Sequence, residues 1–259
     1  MIFTILNKKR AGGAAEKIAV AAFWLAVWQI IYVAVGQEIL VVSPVLVFQR
    51  LCALAGSPDF WLTALSSVCR ILEGFAAGAA AGTILAVLCF RFRICLALFR
   101  PLIHVVRSTP VASFIILALV WMQPEFVPAF SSVVIVLPIL WENILEGLRK
   151  TDRNLLQMAG MFRFGSLKTI RRVYVPSILP YFTAACTTGM GLAWKGGVAA
   201  EVLASVPFSI GGQIYNAKIY LETEDLFAWT AVVILLSVLL ESLMNFAIRR
   251  LRTGGGENA

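Results

Sequence analysis

Long apolar runs, separated by short polar, basic or proline-bearing connections, set the pattern of this chain. A helix that crosses the hydrocarbon of a bilayer needs roughly 20 mostly apolar residues. Six windows meet that length: Ile18–Val35 and residues 64–89, 102–122, 127–144, 177–194 and 226–248. They use most of the 259 residues, so the chain reads as a single transmembrane domain over residues 1–259. The pattern predicts an all-α integral membrane protein with about six transmembrane helices.

The connections carry their own signals. Residues 41–54 hold Ser43-Pro44 and then a mixed pattern interrupted by Gln49 and Arg50, which suits an interfacial helix better than a span. In the second window Gly74, Gly78 and Gly82 recur four apart on one helix face. Such a smooth face lets another backbone approach closely, and a groove facing a transported solute is the alternative use. Pro110, after Arg107-Ser108-Thr109, predicts a kink or a broken turn in the third span. Pro124 and Pro128 mark a short outer turn, and Pro138 predicts a bend in the fourth span. Trp194-Lys195-Gly196-Gly197 predicts the end of the fifth helix, because paired glycines are poor helix formers. A short helix over 198–205 and a loop over 207–212 are expected to follow.

Composition sharpens this picture. Hydrophobic residues make up 60% of the chain and charged residues 14%, with mean hydropathy +0.86, more apolar surface than a water-soluble domain can hide. The net charge of +8 is explained by where it sits. With the N-terminus inside, 18 of the 22 basic residues fall in cytoplasmic segments, from Lys8, Lys9 and Arg10 through Arg149–Arg172 to Arg249 and Arg250. Only Arg50, Arg70, Lys195 and Lys218 fall elsewhere. That asymmetry places both termini in the cytoplasm and removes the case for a nucleic-acid partner. The N-terminal basic patch and apolar run resemble a signal peptide, but the run is as long as a span and is read as a retained first helix. Five cysteines without a CxxC pair support neither a disulfide framework nor a metal site.

One segment does not belong in a lipid-facing pattern: residues 155–180, LLQMAGMFRFGSLKTIRRVYVPSILP, a basic and partly amphipathic stretch closed by Pro176 and Pro180. Asp152 can cap a short helix there. Leu155, Leu156, Ala159 and Phe162 then give an apolar stripe at helical spacing. Such a helix can lie in a groove of a soluble partner. An interfacial helix without a partner is the alternative.

This segment resembles the EAA loop of ABC importer permeases, whose pattern is E-A-A, three residues, G, nine residues, then I-x-L-P. Gln157-Met158-Ala159 stands at E-A-A, and Val173-Tyr174-Val175-Pro176 falls at the register of I-x-L-P. Gln157 replaces the acidic residue, and Arg163 stands where the glycine belongs, with Gly165 two positions later. The stretches 66–82, 107–114 and 218–229 are similar to the nitrate/taurine/sulfonate-type branch, so the likeness covers roughly residues 40–250. The resemblance implies a type I ABC importer permease in the bacterial inner (cytoplasmic) membrane, with a cytoplasmic coupling loop over 150–176. It implies that Gln157, Met158, Ala159, Phe162, Arg163 and Gly165 dock separate ATPase subunits, which bind ATP and Mg. It also implies a second copy of this chain and an extracellular or periplasmic binding protein delivering a small polar or anionic solute. Nitrate, taurine, other sulfonates and thiamine-precursor pyrimidines are the cargo classes of that branch. Lys195 and Glu201, in the segment after the fifth span, are the pathway or gate candidates.

The chain itself holds no GxxxxGK[ST] phosphate loop and no cofactor site, so it is read as a non-enzyme. His104, the single histidine, has no metal-spaced companion and reads as a packing or hydrogen-bonding residue. Glu142 and Glu146, one turn apart, read as solvated or paired with nearby basic residues. The rival reading is an ion-coupled secondary transporter using Glu73, Glu142 or Lys195. No inverted repeat is visible in the spans to support it.

Overall fold

The computed structural model describes residues 13–254, and these are helical with no strand. Lys8, Lys9 and Arg10 lie outside the described residues. The first helix, α1 (Gly13–Val35), stands at the margin. It meets the rest of the chain through α2 (Pro44–Ala55) and through Trp28, which stacks on Phe227 at 5.8 Å. Ser43 caps α2, its Oγ accepting the Leu46 N–H at 3.2 Å, and Pro44 occupies the first turn, where no N–H is needed.

The centre is built from α3 (Pro58–Arg91), α6 (Val127–Arg149) and α9 (Val175–Ala204). Among lipids, whose tails are as apolar as leucine, helices are held together mainly by close packing, so small residues at the contacts matter most. The most extensive contact, α3 on α6, runs along Gly74, Gly78 and Gly82. A Cβ on Gly78 would stand 3.0 Å from the Val133 Cα, and one on Gly82 would stand 2.6 Å from the Leu137 carbonyl oxygen. On Gly74 it would overlap the Ala129 backbone. Ile71, Val136, Leu140, Ala193 and Trp194 fill the core where the three helices meet. The Trp194 indole N–H donates to the Val233 carbonyl at 3.0 Å and ties α9 to α11 (Thr223–Gly254).

Several sequence expectations are corrected. Four helices are long and apolar enough to span a membrane, or five if one bent pair counts as a span. That pair, α4 (Arg93–Ser108) and α5 (Val111–Trp121), is broken where Pro110 predicts a kink or a broken turn, and is bent by 104°. Thr109 and Pro110 are extended at the break, as expected of a residue before proline. The expected fifth span lies inside α9, which is not among the helices apolar enough to count by composition. Gly196 and Gly197 do not end that helix. They let Ile135 and Ile71 pack against the α9 backbone, and that packing outweighs their low helix propensity. The expected short helix over 198–205 is therefore the last part of α9. The expected loop over 207–212 gives way to α10 (Ile210–Ile219), capped by Ser209, whose Oγ accepts the Gly212 N–H at 2.9 Å.

Beyond α6 the chain forms α7 (Arg153–Met161) and then α8 (Ser166–Thr169). From α8 it continues through one π turn, Ile170–Tyr174, directly into α9. Residues 166–204 thus form one continuous helical segment, ~58 Å along its path at α-helical rise, with a π turn, Pro176 and Pro180 within it.

Candidate functional site

The short helix α7 is defined by its two ends. At its start the Asp152 carboxylate accepts the Asn154 N–H at 2.8 Å. At its end Arg163 adopts a left-handed conformation, φ 51°. The Arg163 N–H donates to the Gly160 carbonyl at 3.0 Å and the Phe164 N–H to the Ala159 carbonyl at 2.9 Å, the paired bonds of a Schellman cap. Glycine is the residue suited to that φ, which gives a physical reason for the glycine of the pattern and locates the strain in this chain at Arg163.

The residues that the sequence placed on one stripe differ in exposure. Ala159 is 3% exposed, enclosed by its own chain, so it is not available to a partner groove. Phe162 is 70% exposed and Met161 85% exposed, and Leu155 and Met158 also face outward. Gln157, Arg163 and Gly165 are exposed as well, and Gly165 has open space about its Cα. Exposed Leu167 adds to the apolar surface, and Arg163, Lys168, Arg171 and Arg172 surround it. The Lys168 ammonium lies 4.1 Å from the centre of the Phe164 ring, a cation–π contact. No other helix packs extensively on α7. Met161 and Leu167 were missed as contact residues; their signal was an apolar side chain in a segment too basic to enter lipid.

A second feature is the open face of α9. Ala184, Thr188, Leu192, Lys195 and Ala199 recur at helical spacing and are exposed, while the opposite face is buried against α3 and α6. Lys195 lies on this face toward the Ala204 end of α9 and makes no ion pair among the described residues. A charged side chain facing hydrocarbon is costly, so this face suits water better than lipid. Glu73 is exposed on α3, away from the glycine face, and no ion pair joins it to Lys195.

Glu201 does not share that surface. It is 0% exposed. Its Oε2 accepts the Ser67 hydroxyl at 2.9 Å and the Gly211 N–H at 3.0 Å, and its Oε1 lies 4.0 Å from Arg70 Nη1. Ser67 in turn accepts the Ile210 N–H at 2.9 Å. The carboxylate therefore ties α3, α9 and the positive N-terminus of α10 together, a structural junction and not an open gate in this conformation.

At the two ends of the bundle, ion pairs organise the surface. Arg50 on α2 makes a bidentate pair with Asp225 at the start of α11, with Nη2 at 2.8 Å from Oδ2. The hydrogen bond to Asp225 pushes the Arg50 guanidinium above its ordinary range. A cavity of about 310 Å³ lies there, lined also by Glu38, Glu222 and Glu224. At the opposite end, beside α7, Lys150 pairs with Glu146 at 2.6 Å, which raises the ammonium above its ordinary value, and Arg107 pairs with Glu142.

Residues 78–253 match the family described as binding-protein-dependent transport system inner membrane component. The chain is 30% identical to the bicarbonate transport system permease protein CmpB of Synechococcus elongatus over 160 residues, 61% of this chain and 57% of that protein. It is 25% identical to the nitrate import permease protein NrtB of a Synechocystis species, over 72% of this chain and 70% of that protein. Its fold is similar to a chain in the crystal structure of an amino acid ABC transporter with histidines. That match has a TM-score of 0.63 at 15% identity and covers 77% of this chain and 97% of the other.

Proposed function

The chain belongs to the family of binding-protein-dependent transport system inner membrane components and is an ABC importer permease of the bacterial inner membrane; on that premise we propose how it is driven and what it carries. ATP hydrolysis belongs to separate ATPase subunits, which hold ATP and Mg and seat α7 in a groove on their surface. The observation that carries this reading is the apolar, basic-ringed knob of Leu155, Met158, Met161 and Phe162, which the chain leaves uncovered. The end of the bundle that carries α7 then faces the cytoplasm.

The segment from α8 to α9 supplies the mechanical link. A displacement of α7 by closing ATPases enters this segment at Ser166 and reaches the open face of α9 along one continuous helix. A second copy of the chain faces that open surface, and the pathway runs between the two. ATP binding moves the two segments to open the pathway outward, and hydrolysis resets them. A binding protein delivers cargo at the end where Glu222, Glu224 and Asp225 lie. Lys195, the cation on the open face, favours a small anion as cargo, in keeping with the bicarbonate and nitrate permeases to which the chain is similar.

The test is reconstitution. The chain alone in proteoliposomes should give no uptake of nitrate or bicarbonate under a proton or sodium gradient. Adding the ATPase, internal ATP and the binding protein should switch uptake on. Gradient-driven uptake by the isolated chain would overturn this reading in favour of a secondary transporter.

A further inference from the structure

A cleft between α4 and α6 has a chemistry that transport does not use. It encloses about 240 Å³ and is lined by Leu96, Arg100 and His104 of α4 and by Trp141, Leu145 and Arg149 of α6. That is far more room than one water needs. Arg93, Arg100, His104 and Arg107 recur at spacings of seven, four and three, which puts all four on one face of α4.

The charge is not self-cancelling. Glu142 and Glu146 also border the cleft, but Arg107 takes up the first and Lys150 the second. Arg100 and Arg149 are left exposed, and among the described residues neither makes an ion pair. Trp141 adds a second, independent observation. Its side chain is 6% exposed, and its indole N–H is buried without an acceptor. An unpaired buried donor costs about 1–3 kcal/mol, so a site that leaves one beside two spare guanidiniums is short of an acceptor-rich anion. The side of α4 away from the basic stripe exposes Ile94, Leu98, Leu102 and Val105, so the helix is amphipathic, as a helix at a lipid surface is.

We propose that this cleft binds a phosphate anion, held by Arg100 and Arg149 with the Trp141 N–H behind them. The amphipathic character of α4 makes the head group of an anionic phospholipid its source. Planar guanidiniums match phosphate oxygens bidentately, and basic pockets between spanning helices are suited to anionic head groups. The leaflet concerned is the inner one, which rests on the orientation given under the proposed function; the chemistry of the site does not.

The experiment uses the purified full chain in detergent with defined additions, so it needs neither ATPase nor cargo, and its failure would leave the transport reading standing. Retention of phosphatidylglycerol is measured by native mass spectrometry against phosphatidylcholine, together with the shift in thermal unfolding. The unaltered chain should prefer phosphatidylglycerol by roughly 10- to 30-fold, the effect of two arginines near a charged head group. Arg100→Gln combined with Arg149→Gln should abolish the preference, Trp141→Phe should reduce it several-fold, and Arg172→Gln, exposed at the same end, should leave it unchanged. In a parallel arm, inorganic phosphate is added without lipid. Stabilisation by phosphate that disappears in the double variant would support the same chemistry with a soluble source. Equal retention of both lipids with no phosphate effect, or a preference that survives the double variant, would overturn the proposal.

Discussion

The Ser67 hydroxyl donates to the Glu201 carboxylate at 2.9 Å across 134 residues of sequence, and the same hydroxyl oxygen accepts the Ile210 N–H. One side chain on α3 therefore satisfies two groups on different helices. Ser67→Ala should leave the Ile210 amide and part of the carboxylate unpaired, at about 1–3 kcal/mol for each buried group. Thermal unfolding in detergent should fall, and Ser67→Thr, which keeps the hydroxyl, should recover part of the loss. An unchanged midpoint in Ser67→Ala would mean that water replaces the hydroxyl at no cost.

The glycine face makes a sharper expectation because its contacts are with backbone, which cannot rotate away. Gly82→Ala would bring a methyl within 2.6 Å of the Leu137 carbonyl oxygen, and Gly78→Leu would force α3 and α6 apart. Both should lower the yield of folded protein, whereas Ala80→Leu, on the exposed side of α3, should be tolerated. Size-exclusion profiles after extraction distinguish these outcomes. Equal behaviour of Gly78→Leu and Ala80→Leu would remove the close approach as the basis of the α3–α6 contact.

Sequence patterns read well where one local rule decides the structure. Ser43-Pro44 starts α2, Asp152 starts α7 and Pro110 breaks α4 from α5, each through a missing or captured N–H that is visible in the residue itself. They read poorly where a distant surface decides. Gly196-Gly197 has the composition of a helix end, and only Ile135 and Ile71, from two other helices, show why the helix continues. Glu201 reads as a pathway or gate candidate until Ser67, Arg70 and α10 are seen to enclose it. Ala159 and Phe162 share a helical stripe in the sequence, but only burial shows that the chain covers the first and leaves the second, at the end of α7, uncovered.

The left-handed turn at Arg163 can be tested by itself. Holding a non-glycine residue at φ 51° costs about 1–2 kcal/mol, and a glycine introduced there would lose roughly 0.5–1 kcal/mol through its freer unfolded chain. Arg163→Gly should thus make the turn slightly more stable, while β-branched Arg163→Val should loosen it. Limited proteolysis within residues 150–176 is the appropriate measure. Faster cleavage of Arg163→Gly than of the unaltered chain would contradict the assignment of strain.

Docking of an ATPase through α7 predicts an order of effects that exposure sets. Met161→Asp and Phe162→Asp place a charge on the uncovered knob, where a partner groove would have to desolvate it. Each should lower ATPase association by tenfold or more while leaving the midpoint of the isolated chain unchanged. Ala159→Asp, buried in its own chain, should instead lower that midpoint. Normal association of both exposed variants would show that the knob is not the docking surface.

Lys195 offers the most direct test of the pathway, because Thr188 lies two helical turns below it on the same open face. In a background with the five cysteines replaced, Thr188→Cys gives a thiol whose reactivity reports both water access and local potential. If the face lines an aqueous pathway, an anionic methanethiosulfonate should react faster than a cationic one of similar size, relative to their rates with a free thiol. Lys195→Met should remove the preference, and Lys195→Glu should reverse it. A charge about 10 Å away is not fully screened at physiological ionic strength, and low-dielectric walls focus it, so a several-fold change in the rate ratio is expected. Raising the salt concentration should shrink the ratio if the effect is electrostatic. Transport should respond in parallel: Lys195→Glu should suppress uptake of nitrate or bicarbonate while ATPase association stays intact, because α7 is unchanged. Equal rates for both reagents in all three backgrounds would show that Lys195 does not set the potential along this face. Failure of either reagent to modify Thr188→Cys, in resting and ATP-energised assemblies alike, would place the face against protein or lipid and remove it from the pathway.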